Sequence, residues 1–210
     1  MTEQTFGLID ANNFYVSCER VFQPRLEGQA VVVLSNNDGN IIARSNEAKA
    51  LSLTIGMPFF KAKPLIEKHG VAYFSSNYTL YGSLSRRMMD TINEFAPALE
   101  RYSIDEAFVL LDVGRQDNDA HQLRETVRQW TGIPVSVGVG STKVLAKVAS
   151  HIAKKRPEYR GVVDLTGQDV DSYLKDFDVS DLWGIGPRYS RFLKSEDEGD
   201  PQQPDQPDHY

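Results

Sequence analysis

The sequence predicts an α+β fold. Two kinds of segment carry that prediction. Short apolar runs with strand character stand at residues 5–10, 30–35, 109–111 and 134–140. Stretches with helical spacing stand between and after them, at 78–95, 120–130 and 142–155. Turn-forming clusters such as Asn36-Asn-Asp-Gly39 separate the two kinds.

Residues 5–10 read as a buried strand that ends on Asp10, and Asn12 to Phe22 as a helix with Phe14, Val21 and Phe22 available for packing. On spacing alone Phe14 and Tyr15 are core aromatics. Ala30 to Ser35 is a strongly apolar strand. Asn36 to Gly39 is its turn, with Gly39 expected to supply a positive φ, and Asn40 to Ser45 is its partner. Asp38 reads simply as a turn residue. Asn46 has the chemistry of a helix cap for Glu47 to Leu51. Lys61 to His69 reads as a short helix and Val71 to Phe74 as a strand.

Tyr78 to Phe95 has helical periodicity, with Leu80, Leu84, Met88, Ile92 and Phe95 near one face that reads as core. A loop at Asp117-Asn-Asp119 can cap a helix from about Ala120 to Trp130. In the strand Pro134 to Gly140, Gly138 and Gly140 permit close backbone approach, with DNA a candidate neighbour. Thr142 to Lys155 is an amphipathic helix: at about 100° per residue Lys143, Lys147 and Lys154 share a stripe roughly 40° wide. Read alone, such a stripe is a solvated face. Gly161 to Leu165 reads as a strand and Asp169 to Phe177 as a short helix. Pro187 suits the first turn of a further helix that runs to about Leu193.

The 210 residues carry a net charge of −6. Six of the 29 acids lie after Lys194, which leaves a neutral body whose local basic patches remain able to bind phosphate. Ser195 to Tyr210 has no aliphatic residue and three prolines, and reads as a disordered acidic tail. The single cysteine, Cys18, excludes an intramolecular disulfide and reads as a packed apolar residue. Neither a secretion signal nor a membrane span is recognisable, so a cytoplasmic protein is expected.

The chemistry centres on Arg101-Tyr-Ser-Ile-Asp-Glu106-Ala-Phe-Val-Leu-Leu111. Adjacent side chains on a regular strand point to opposite faces. Asp105 and Glu106 can therefore share a ligand only where the chain turns, and they are placed at the tip of a hairpin. Asp10 ends another apolar strand. If the two strands are sheet neighbours, three carboxylates converge into an all-oxygen site of the kind Mg²⁺ or Mn²⁺ prefers.

These stretches, together with Asp10-Ala-Asn-Asn-Phe-Tyr15, Ala43-Arg-Ser-Asn-Glu-Ala-Lys49, Val137-Gly-Val-Gly140 and Trp183-Gly-Ile-Gly186, resemble the N-terminal part of Y-family translesion DNA polymerases of the UmuC/ImpB/MucB/SamB branch, from about Phe6 to about Leu193. The resemblance implies a polymerase palm, a ferredoxin-like sheet with helices on one face, with a small fingers insertion at about 25–75. Palm and fingers together would occupy residues 1–180, and 181–194 the start of a helix–hairpin–helix thumb. It implies two Mg²⁺ ions on Asp10, the Ala11 carbonyl, Asp105 and Glu106. Phe14 and Tyr15 would stand at the nucleotide, Tyr15 as the steric gate against a 2′-hydroxyl. Arg44, Lys49 and Lys154 would meet the triphosphate, and Lys143, Lys147, Gly184 and Gly186 the DNA. The implied partners are primer–template DNA and a deoxynucleotide, with a UmuD-like subunit, a recombinase filament and a sliding clamp as further ones. Ser52 stands where the family usually has glycine, and costs on the order of 1 kcal/mol if that position needs a positive φ. The family's sequences are nearly twice as long, so a truncated chain is expected.

Three functions follow: an error-prone polymerase of SOS mutagenesis and DNA repair, a non-catalytic palm–fingers fragment that binds nucleotide or a damage-response partner, and a nucleotide cyclase of the GGDEF type. The third lacks its own signature motif.

Overall fold

A computed structural model describes residues 5–96, 98–111, 116–175 and 177–197. In chain order the elements begin with β1 (Thr5–Ala11), α1 (Phe14–Phe22), β2 (Val31–Leu34), β3 (Ile41–Arg44), α2 (Asn46–Ala50), α3 (Phe59–His69), β4 (Ala72–Ser75) and α4 (Tyr78–Phe95). They continue with β5 (Leu99–Arg101), β6 (Glu106–Leu111), α5 (Gln116–Thr131), β7 (Val135–Gly140), α6 (Lys143–Lys155), β8 (Val162–Asp164), α7 (Val170–Leu174) and α8 (Pro187–Asp197). The chain forms two compact units, Met1–Thr166 and Gly167–Tyr210.

In the first unit a five-stranded sheet runs β5-β6-β1-β7-β8. β1 lies between β6 and β7, antiparallel to both, and β8 adds parallel to β7. The path β1, α4, β5, β6, α5, β7 is the split βαβ of a ferredoxin-like fold. Its two helices, α4 and α5, share one face of the sheet. There Leu84, Met88 and Ile92 of α4 and Leu123 and Val127 of α5 pack with Ile9, Val109, Val135, Val137 and Val139. α6 adds a helix on the opposite face, where Ala146 packs with Leu8 and Phe108. Gly138 is what admits it: a Cβ there would lie 2.1 Å from the Ser150 nitrogen and 2.2 Å from the Ala146 carbonyl. The close approach expected at Gly138 and Gly140 is thus the approach of α6, and the sheet glycines face a helix rather than DNA.

A second sheet, β3-β2-β4, packs α2 and α3 around Val32, Leu34, Ile41, Ala48, Ala62 and Ile66. All four residues of β2 are fully buried. Each contributes about 1.5–3 kcal/mol by leaving water, which explains an apolar run without alternation.

Local chemistry corrects several boundaries. α1 starts at Phe14 rather than Asn12, because Asn13 takes a left-handed conformation (φ 48°, ψ 48°) that asparagine tolerates. Phe22 is 60% exposed and leaves the core to Phe14 and Val16. Phe95 likewise turns outward. In the β2–β3 turn the positive φ falls on Asn37 (62°) and Asp38 (51°), while Gly39 is right-handed. Asp38 also accepts a bond from the Ser75 hydroxyl at 2.5 Å, which ties the turn to β4. The cap of α2 is Ser45 and not Asn46: the Ser45 hydroxyl accepts from the Ala48 amide at 3.2 Å, and Asn46 is the first helical residue. α5 already begins at Gln116. α7 is shorter than expected and α8 longer. Residues 198–210 of the acidic tail expected to be disordered lie outside the described residues.

Ser52 has φ 62°. The suspected strain is therefore present, and Ser52→Gly is expected to stabilise the chain by about 1 kcal/mol in a denaturant titration. An unchanged midpoint would show that local bonding offsets the strain.

Among the described residues no helix is long and apolar enough to cross a membrane.

Candidate active site

Asp10 and Glu106 are directly paired across β1 and β6, and side chains in register share a face. That face is the one α6 occupies. The expected hairpin is present: β5 and β6 are antiparallel, and the chain turns through residues 102–105. Ser103 organises the tip. Its hydroxyl meets the amides of Asp105 (3.2 Å) and Glu106 (3.0 Å) and the Asp105 carboxylate (2.7 Å). The amides of Tyr102 and Ser103 close the turn on the Glu106 carbonyl. The Ala11 amide donates to the Asp105 carbonyl at 2.9 Å, which joins the tip to the end of β1. Asn12 then turns the chain: its amide donates to the Pro134 carbonyl, and its side chain accepts from Ser136.

These elements line one cleft of about 600 Å³. Asp10, Ala11, Asp105 and Glu106 contribute to it, as do Phe14 and Tyr15 from α1, Arg44 from β3, Lys49 from α2 and Lys154 from α6. Every residue that the resemblance implied for metal and nucleotide is therefore on this cleft. Lys143, Lys147, Gly184 and Gly186 are not among its lining residues. Lys143 pairs with Glu100 at 2.6 Å, and Lys147 with Glu106 at 3.0 Å. In the second unit Gly184 has φ +91°, and a Cβ at Gly184 or Gly186 would meet no atom within 4 Å.

The cleft is electrostatically divided. Burial pushes the Asp10 carboxyl up to about 6, with Glu106 and Asp105 adding to the rise and Lys154 opposing it. The Lys154 ammonium lies 2.5 Å from Asp10. Lys49 is held below the ordinary lysine range by partial desolvation and then by the nearby charges of Arg44 and Lys154. Arg44 donates to the Leu53 carbonyl through Nη1, while its buried Nε has no hydrogen-bond partner. Three cations thus share a space that favours a polyanion.

Hard oxygen donors and mutual repulsion suit Asp10, Asp105 and Glu106 to a divalent cation. Among the described residues no three His, Cys, Asp or Glu side chains are drawn together closely enough to hold a metal ion as they stand. Lysine ammoniums meet two of the carboxylates instead.

The sequence pattern did not single out Tyr81. Its ring stacks on Tyr15 at 4.5 Å, and its hydroxyl donates to the buried Glu19 carboxylate at 2.8 Å. The spacing Tyr81, Leu84, Met88 is a usable signal, since all three are buried on α4. Nothing in the sequence pattern marks Glu19.

A family model described as impB/mucB/samB family matches residues 9–151. The chain belongs to the impB/mucB/samB family. Among its relatives, Protein ImpB of Salmonella typhimurium is 44% identical over 200 residues, covering 90% of this chain and 46% of the relative. Protein UmuC of Salmonella typhimurium strain LT2 is 47% identical over 196 residues with the same coverage. This impB/mucB/samB chain spans about half the length of the curated relatives it matches. An insertion ternary complex of Dbh DNA polymerase superposes with a TM-score of 0.79 at 26% identity, over 91% of this chain and 57% of that one. The match spans 91% of this chain, and the fold is the palm and fingers of a Y-family polymerase.

Proposed function

We propose that the cleft is the catalytic centre of an error-prone, DNA-directed DNA polymerase of the damage-tolerance type. One observation carries this reading: three carboxylates and three cations line the same cleft as Tyr15. Asp10, the Ala11 carbonyl, Asp105 and Glu106 would hold two Mg²⁺ ions. Bound there, the metal would make the attacking primer hydroxyl more acidic and steady the leaving pyrophosphate. Asp10 would help to hold both ions, and Glu106 would help to hold the one that serves the primer.

Arg44, Lys49 and Lys154 would neutralise the triphosphate. Positioning and charge neutralisation supply most of the rate in such a transfer. Phe14 and Tyr15 would lie beneath the sugar. The stack on Tyr81 fixes the Tyr15 ring, so a 2′-hydroxyl would meet a rigid wall. Tyr15→Ala is expected to reduce the preference for deoxynucleotides over ribonucleotides by about tenfold to a hundredfold in single-nucleotide kinetics. Unchanged discrimination would remove Tyr15 from that role. Lys143, Gly184 and Gly186 would contact DNA phosphates without reading sequence. The substrates would be primer–template DNA and a deoxynucleotide, met in the cytoplasm.

The test is primer extension by the full chain at low salt, with excess primer–template and Mg²⁺, against Asp105→Ala. Extension lost in the variant supports the reading. Mg²⁺-dependent nucleotide binding without extension assigns a nucleotide site alone. Absence of both sinks it.

A further inference from the structure

Lys147 belongs to the basic stripe of α6, a stripe the sequence offers to DNA. In the structure its ammonium is directed at the acidic hairpin. It donates to both carboxylate oxygens of Glu106, at 3.0 and 3.3 Å. It also lies 4.5 Å from the centroid of the Tyr102 ring. Tyr102 meets Phe108 edge to face at 5.7 Å, so the aromatic platform beneath the ammonium is itself packed. The Lys147 and Glu106 side chains are only 18% and 19% exposed, which shields the pair from screening.

A glutamate has three side-chain torsions, and one placed beside two other carboxylates is driven outward by repulsion. An ammonium that takes both oxygens and is itself seated on a ring removes that freedom and offsets the charge. Partners of metal-ligating carboxylates act in this way, by fixing the ligand's orientation. Lys143, one turn earlier, is engaged differently: it pairs with the exposed Glu100 and lies 5.2 Å from the Phe108 ring, away from the cleft lining.

We propose that Lys147 is a positioning residue that restrains the Glu106 carboxylate on the sheet face it shares with Asp10 and so limits the movement needed to reach a divalent cation, rather than a contact to DNA phosphate. The inference rests on the nucleotidyl-transfer centre proposed above.

Two measurements on the full chain test it. One is Mn²⁺ binding in the absence of nucleotide and DNA, followed by loss of the free Mn²⁺ paramagnetic resonance signal. The other is primer–template affinity across a salt series. Lys147→Gln is expected to weaken Mn²⁺ binding by about tenfold. The slope of affinity against salt should not change, and Lys147→Arg should restore most of the Mn²⁺ binding. A thermal midpoint on each variant separates loss of the site from loss of the fold. If Lys147→Gln unfolds, Lys147→Arg decides: retained Mn²⁺ binding supports the role and lost binding overturns it. Unchanged or tighter Mn²⁺ binding in Lys147→Gln would overturn the inference. So would a salt slope reduced by about one, the mark of a lost phosphate contact. Failure of the wild-type chain to bind Mn²⁺ at all would overturn the nucleotidyl-transfer reading as well, which distinguishes the two failures.

Discussion

Asp10→Asn is expected to abolish nucleotide incorporation, by about 10³-fold or more, and at the same time to make the metal-free chain more stable. On the proposed reading the loss follows from removing a carboxylate that would hold the metal, whose transition-state stabilisation would be several kcal/mol. The gain follows from the environment of Asp10. Its side chain is 15% exposed and lies beside two other carboxylates, and burial lifts its carboxyl to about 6. A carboxyl raised in the folded state binds its proton more tightly there than in the unfolded chain. Its ionisation therefore costs stability as pH rises from about 4 to about 6, and the full cost persists above that range. Asparagine keeps the shape and has no charge to desolvate. At pH 8 in a chelator the variant should be about 3 kcal/mol more stable, a figure that already includes the opposing attraction of Lys154. The difference should shrink toward zero below pH 4. Chemical denaturation at several pH values reads this directly. A variant less stable at pH 8 would show that the Lys154 ion pair outweighs the desolvation.

Gly138→Ala is expected to destabilise the chain by about 3 kcal/mol or more and to cost nucleotide binding at a distance from the cleft lining. The added Cβ would sit 2.1 Å from one α6 backbone atom and 2.2 Å from another, so a side-chain rotation cannot relieve the clash. α6 would have to lift, and it carries both Lys147 and Lys154. Gly82→Ala is the control. It lies inside α4, a Cβ there meets nothing within 4 Å, and alanine should stabilise by about 0.5–1 kcal/mol. A Gly138→Ala chain with a wild-type midpoint and intact nucleotide binding would show that α6 is not seated as described.

Much of this architecture is legible in the order of the amino acids. The strand at 31–34 stands out because burial on both faces leaves a run of valines. The helix at 78–95 stands out because one buried face repeats with its turn. The hairpin tip is legible because two adjacent carboxylates cannot share a ligand on a straight strand. Other features are hidden. Asn46 and Ser45 are both good caps by chemistry, and only the extended backbone at Ser45 decides between them. Asn37, Asp38 and Gly39 all tolerate a turn, and the link from Asp38 to Ser75 couples the chosen geometry to a strand 37 residues away.

The same division holds at the site. Residue type and local spacing marked Asp10, Asp105 and Glu106 as candidate oxygen donors, whereas Lys154 and Tyr15, read alone, were a solvated cation and a core aromatic, and only the family resemblance set them beside a nucleotide. Tertiary structure decided what each one faces. A stripe of lysines looks the same whether it meets solvent, phosphate or carboxylate. The fold directs Lys154 to Asp10 and Lys147 to Glu106, because glycines in β7 let α6 lie directly on the sheet. Likewise a tyrosine in a helical repeat is read as core until a second ring is found stacked on it, as Tyr81 is on Tyr15. Partner identity depends on long-range placement, and neither composition nor periodicity carries that information.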